Sequence, residues 1–108
     1  MSTPRIAQLL KFLEANANDS FVRFALALEY IKAGDEERGL KYFSHIRKND
    51  PDYTGTYYHL GKLYERLNKK QEAEEIYREG LKRTMGKDGK SYQEIQEALN
   101  QLLYEEEE

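Results

Sequence analysis

The sequence predicts an all-α chain: a right-handed α–α superhelix of two helix–turn–helix repeats, flanked by an N-terminal and a C-terminal helix. Three observations carry this expectation. First, one residue pattern returns after thirty-four positions. Leu26, Ala27 and Tyr30, followed by Gly39 and Phe43, recur as Leu60, Gly61 and Tyr64, followed by Ala73 and Tyr77. A fixed period of this length marks helical units that stack on one another. Second, apolar residues fall at helical spacing, as at Ile6, Leu9, Leu10 and Leu13, which are i, i+3, i+4 and i+7. Third, Val and Ile are scarce and no segment alternates with a period of two, so strands have no support.

Punctuation residues place six helices. Thr3 is placed to cap the first, with Pro4 in its first turn, where a missing N–H costs nothing. This helix is expected over 4–15, followed by a polar break at 16–19. The second starts near Ser20 and ends at Ala33, with Gly34 as its stop. Asp35 caps the third, which runs to about Asn49, because a residue before Pro51 is pushed away from helical angles. The fourth is expected over 54–67, with Asn68 supplying a left-handed stop. The fifth spans 70–85 and ends at Gly86. A turn at 87–90 follows, and then Ser91 and Glu94 have the spacing of a capping box for a last helix over 92–104. The four consecutive glutamates at 105–108 sit where the helix dipole disfavours negative charge, so fraying is expected there.

The recurring pattern resembles the tetratricopeptide repeat, a helix–turn–helix unit with a Trp-x2-Leu-Gly-x2-Tyr, Ala-x3-Phe, Pro signature. Residues 20–53 match a full unit, with Gly34 and Asp35 at the turn, Pro51 at the end, Arg23 in place of the Trp and Gly39 in place of the Ala. Residues 54–87 match again, with Tyr57 at the Trp place and Met85 instead of the Pro. The flanks look like half repeats. The resemblance implies a single domain over 1–108: N-terminal helix 4–15, repeats 20–53 and 54–87, capping helix 91–104 and acidic tail 105–108. The residues agree with it physically. Small Ala27, Gly39, Gly61 and Ala73 stand where helix axes approach, and large Leu26, Tyr30, Phe43, Leu60, Tyr64 and Tyr77 fill the space beside them. Gly in a helix interior costs about 1 kcal/mol against Ala, so Gly39 and Gly80 are read as packing positions.

Composition narrows the function. The chain has 108 residues, room for one core, with two prolines and no visible linker. A net charge of −3 offers no long-range attraction to nucleic acid or anionic membrane. The absence of cysteine excludes disulfides and thiolate metal sites. Arg5, the run 6–13 and Ala15-Asn16-Ala17 superficially resemble a secretory leader, but Gln8, Lys11 and Glu14 interrupt it, and its periodicity is that of an amphipathic helix. No apolar run nears the ~20 residues of a membrane span. A cytoplasmic protein is expected.

No catalytic pattern is present, and neither enzymatic activity nor a cofactor or metal is expected. His45 and His59 lie on different helices with no ligand partner at metal spacing. Glu65/Lys69, Glu74/Arg78 and Glu79/Arg83 are i,i+4 pairs that support exposed helices. Nine tyrosines suggest base stacking, but Tyr30, Tyr57, Tyr64 and Tyr77 occupy repeat positions and a basic stripe is missing, so an RNA-binding adaptor is the remotest reading.

By resemblance, the first helices of successive units line a concave groove that holds a peptide or a partner protein. Its residues would be Phe21, Phe24, Ala25, Leu28 and Ile31 from the first unit and Tyr58, His59, Lys62, Glu65 and Arg66 from the second. The second helix is apolar nearly all round, so more than one side of it needs cover. Cover by the chain itself, by a second copy or by a bound peptide all remain open. The expected function is a protein–protein interaction scaffold, with structural self-association, as in a homodimer, as the alternative. Some members of the family clamp the terminal carboxylate of chaperones. The matching places here hold Phe24, Leu28 and His59, so that clamp is not expected.

Overall fold

The computed structural model describes the backbone of residues 3–107 and the side chains of residues 3–105. Its described secondary structure is helical throughout: α1 (Pro4–Ala15), α2 (Ser20–Lys32), α3 (Glu36–Asn49), α4 (Gly55–Arg66), α5 (Lys70–Thr84) and α6 (Gly89–Glu107). Packing divides the chain into two compact units, one ending at Asp50 and the other beginning at Pro51.

In the first unit, α2 packs against both α1 and α3. Thr3 caps α1 as expected, its Oγ1 accepting from the Ile6 amide at 3.1 Å. The polar break at 16–19 contains a second cap, because the Asp19 carboxylate accepts from the Val22 amide at 3.1 Å. Gly34 ends α2 at φ +89°, where the Asp35 amide bonds back to the Tyr30 carbonyl at 2.8 Å. Asp35 then caps α3 by accepting from the Arg38 amide at 3.0 Å. Ile6 and Leu9 of α1 bury themselves with Val22, Ala25 and Leu26 of α2, and Leu10, Leu13, Tyr30 and Tyr42 pack around them. Across the α2–α3 contact the helices nearly touch at Gly39. A Cβ there would lie 2.5 Å from Ile31 Cγ1 and 3.3 Å from the Ala27 carbonyl oxygen. Phe24 leans on buried Phe43 with ring centroids 5.8 Å apart, and Tyr30 stacks on Tyr42.

In the second unit, α4 packs on α5, and α6 packs on both. Asn68 ends the α4 turn at φ +60°, the left-handed stop read from the sequence. Gly61 lets the Tyr77 ring lie against the α4 backbone, since an added Cβ would come within 2.1 Å of that ring. Gly80 does the same for α6: a Cβ would meet Tyr57 Cβ at 2.6 Å and Ile95 Cδ1 at 3.0 Å. Ile95, Leu99 and Leu102 are all buried, so α6 belongs to the core of this unit.

The start and end of α6 correct two expectations. Ser91 does not cap it. Asp88 does, accepting from the Ser91 amide at 3.1 Å and the Ser91 hydroxyl at 2.7 Å, and the Thr54 hydroxyl donates to the same carboxylate at 2.6 Å. These bonds, Thr54 first, hold the Asp88 carboxyl below the ordinary carboxylate range. A better cap three residues earlier lets the helix begin at Gly89. At its other end α6 extends through Glu107, past the expected end at 104, as the helix propensity of Glu favours. Glu108 lies outside the described residues.

Two stability measurements test this packing. Gly61→Ala gains helix propensity but drives a methyl into a buried tyrosine ring. It should lower stability in a urea melt by about 1–3 kcal/mol. Gly89→Ala, where an added Cβ meets nothing within 4 Å, should not. Thr56 is fully buried, and its hydroxyl makes no hydrogen bond among the described residues. Thr56→Val should therefore raise stability, by about 1 kcal/mol, since the replacement keeps the shape and removes an unmet polar group. A loss in the same melt would show a hidden partner for that hydroxyl.

Candidate functional site

The apolar surface of α2 is partly spent inside the first unit. Ala25 is buried against α1 together with Val22 and Leu26. Ile31 lies over Gly39 on the α3 side. Phe24 is half-buried, its ring against Phe43, and Leu28 is half-buried too. Phe21, in the first turn of α2, keeps 64 % of its surface exposed. Phe21, Phe24 and Leu28 stand at i, i+3 and i+7, so they share one face of α2. The cover that α2 needs on a second side thus comes in part from α1, and Phe21 is left outside it.

The second unit presents a different chemistry. Tyr58 and Lys62 line a cavity of about 240 Å³ together with Glu94, Glu97, Ala98 and Gln101 of α6. The Lys62 ammonium sits 5.7 Å from the Tyr58 ring centroid and 3.8 Å from Glu65 Oε2. His59 meets the Tyr58 ring edge-on, with centroids 5.4 Å apart. Glu65 does not act simply as a surface partner for Lys69. Its carboxylate accepts a hydrogen bond from the Tyr77 hydroxyl. Burial, and after it this bond to Glu65, push the Tyr77 phenol far above its ordinary range. Arg66 is exposed at the end of α4. Of the other expected pairs, Glu74 and Arg78 meet at 2.9 Å, while Arg83 reaches Asp52 at 3.2 Å.

Four residues of α6 at this cavity, Glu94, Glu97, Ala98 and Gln101, were missed from the sequence. Glu94, Glu97 and Gln101 also follow i, i+3 and i+7 and were legible as one polar helical face. They lie off the apolar face of Ile95, Leu99 and Leu102 that fixes the helix in the core. Among the described residues, no cluster of three His, Cys, Asp or Glu could hold a metal ion, and no helix is long and apolar enough to cross a membrane.

The tetratricopeptide repeat profile matches residues 54–84. A crystal structure of a tetratricopeptide repeat domain protein from Salinibacter ruber is 41 % identical, covers 79 % of this chain and 96 % of its own, and superposes with a TM-score of 0.76. The chain belongs to the tetratricopeptide repeat family. A solution structure of a tetratricopeptide repeat domain protein from the same organism agrees, at 40 % identity over 81 % of this chain and 89 % of that one, with a TM-score of 0.77. A solution structure of a protein from Bordetella parapertussis shares the fold at 22 % identity, over 97 % of this chain and 91 % of that one, with a TM-score of 0.80. No curated protein matches. Tetratricopeptide repeat domains serve in general as protein–protein interaction modules and are typically non-catalytic.

The two histidines of this tetratricopeptide repeat protein set a pH dependence. Burial lowers His59 below its ordinary value of 6.5, and Glu94 opposes the shift only in part. Burial, then the charges of Arg23 and Lys48, lower His45 in the same direction. The unfolded chain therefore takes up these protons first. The stabilising contribution is complete above 6.5 and is lost as pH falls through the folded values. Asp35 and Asp88, both lowered from 3.8, lose theirs only in stronger acid. The melting temperature should hold above about pH 6.5 and fall as the pH drops below it. His59→Gln should flatten that slope and the double variant with His45→Gln should flatten it further. An unaltered slope in the double variant would assign the effect to other groups.

Proposed function

We infer that this chain is a protein-binding module whose α2 row of Phe21, Phe24 and Leu28 anchors a protein or peptide partner. The observation that supports the reading is the exposure of Phe21. It heads an apolar row whose other members are half-buried, on a helix that its own unit covers only in part. Covering a side chain of this size contributes about 1.5–3 kcal/mol, enough for one or two such residues to dominate a modest interface. In the second unit Tyr58, Lys62 and Arg66 are candidate contacts of another kind. Tyr58 and Lys62 offer a ring and a cation next to the carboxylates of Glu94 and Glu97, and Arg66 is exposed at the end of the same helix.

Phe21→Asp is the decisive variant. Phe24→Asp is less informative, because that ring packs on buried Phe43 and its loss would disturb the α2–α3 contact itself. Phe21→Asp should leave the helical circular dichroism and the melting temperature nearly unchanged. It should abolish capture of a specific partner that wild-type bait retrieves from native extract. If light scattering shows instead that wild type is a dimer and the variant a monomer, the row is covered by a second copy. Unchanged capture and unchanged mass would rule out the row as a contact surface.

A further inference from the structure

A second concave surface lies on the first unit, lined by none of the expected groove residues. Arg23 of α2 and Arg38, Lys41, Tyr42 and His45 of α3 line an open cavity of about 380 Å³. The α3 residues stand at i, i+3, i+4 and i+7, so they form one strip of that helix about 10 Å long. An adjoining cavity of about 170 Å³ shares Arg23 and His45 and extends the surface toward Ser20 and Asp50. The cationic character is only partly spent. Asp35 holds Arg38 at 2.6 Å, and the Arg23 guanidinium donates twice to the Ala17 carbonyl. Asp50, the acid of the adjoining cavity, accepts from the Ser20 hydroxyl. Lys41 is exposed and makes no ion pair among the described residues. Burial, then the charges of Arg23 and Lys48, lower His45, while burial, then Tyr30, raise the Tyr42 phenol against the opposing charges of Arg23 and Arg38.

We propose that this α2–α3 cavity is a docking site for an acidic polypeptide segment, read by Arg23, Arg38, Lys41 and His45 with Tyr42 as its floor. The length of the strip decides the class of ligand. A single phosphate or carboxylate needs cations converging on one point. Here Arg38 and Lys41 stand one turn apart on α3, about 5–6 Å from each other, His45 follows one turn on as a neutral hydrogen-bond donor, and Arg23 faces them from α2. Carboxylates repeat at that distance on one face of a helix, and at about 7 Å on one face of an extended strand. Several carboxylates in one segment engage the strip together, and each contact weakens as salt screens it. The Tyr42 ring gives the aliphatic stems of glutamates an apolar surface to lie on.

The test is fluorescence anisotropy with a labelled hexaglutamate peptide at about 50 mM salt. Saturable binding is expected, weakened about tenfold by Lys41→Glu and by raising salt to about 300 mM. Lys41 is exposed, so circular dichroism should confirm an intact fold. Lys87→Glu makes the same change in net charge on an exposed residue of the second unit and should have little effect. Absence of saturable binding would overturn the proposal. So would equal weakening by Lys41→Glu and Lys87→Glu, which would mean that only net charge matters. Displacement of the peptide by equimolar inorganic phosphate would show a single-anion site, and stronger displacement by an RNA oligonucleotide would show a nucleic-acid surface. Either result would also overturn it. Failure here leaves the α2 apolar row untouched, because Lys41 is not part of that row.

Discussion

The structure depends on how closely its helices approach within each unit. At Gly39, Gly61 and Gly80 the missing side chain is filled by a neighbour: Ile31 in the first case, the Tyr77 ring in the second, and Tyr57 with Ile95 in the third. Each contact joins a backbone to a large side chain with no room for a methyl between them. Gly costs a helix about 1 kcal/mol against Ala. The cost is offset because large side chains can then be buried completely, as Tyr57 and Tyr77 are. These aromatic residues carry polar tips, which the fold also satisfies. The Tyr57 hydroxyl donates to the Pro51 carbonyl at 2.5 Å and the Tyr77 hydroxyl to Glu65. A buried ring without such a partner would be a liability.

This packing rule also decides what remains on the surface. Ile31 is drawn over Gly39 and Ala25 is drawn under α1, so neither is a free apolar contact. Phe21 escapes because it stands in the first turn of α2, ahead of the residues that α1 covers. In the second unit the approach of α6 at Gly80 places Glu94, Glu97 and Gln101 beside Tyr58 and Lys62. The chemistry of that surface is therefore a consequence of core packing on the other side of the same helix.

Electrostatics shapes the helix ends more than the core. Asp19, Asp35 and Asp88 each accept from an amide at a helix start, where the dipole also favours a negative charge. Asp88 does more than cap. Through Thr54 it ties the start of α4 to the start of α6, two positions thirty-four residues apart. The repeat period is thus expressed as a hydrogen bond, and it carries the register of the second unit into its last helix.

The sequence by itself determined the helix order, most boundaries, and the repeat that identifies the family. These follow from local rules: caps, left-handed stops at Gly34 and Asn68, and a period set by side chains that recur on the same face. It also singled out Gly39, Gly61 and Gly80 as close-packing positions, because glycine inside a helix requires a reason. Local rules failed at α6. Ser91 and Glu94 have the spacing of a capping box, yet Asp88 caps the helix with help from Thr54, a residue remote in sequence. They failed equally at Glu65, whose partner Tyr77 lies on another helix, and at the strip from Arg38 to His45, which becomes a cavity only where Arg23 of α2 stands opposite. In each case the deciding partner comes from a different helix. Periodicity tells which face of a helix a residue occupies, and tertiary packing alone tells what that face meets.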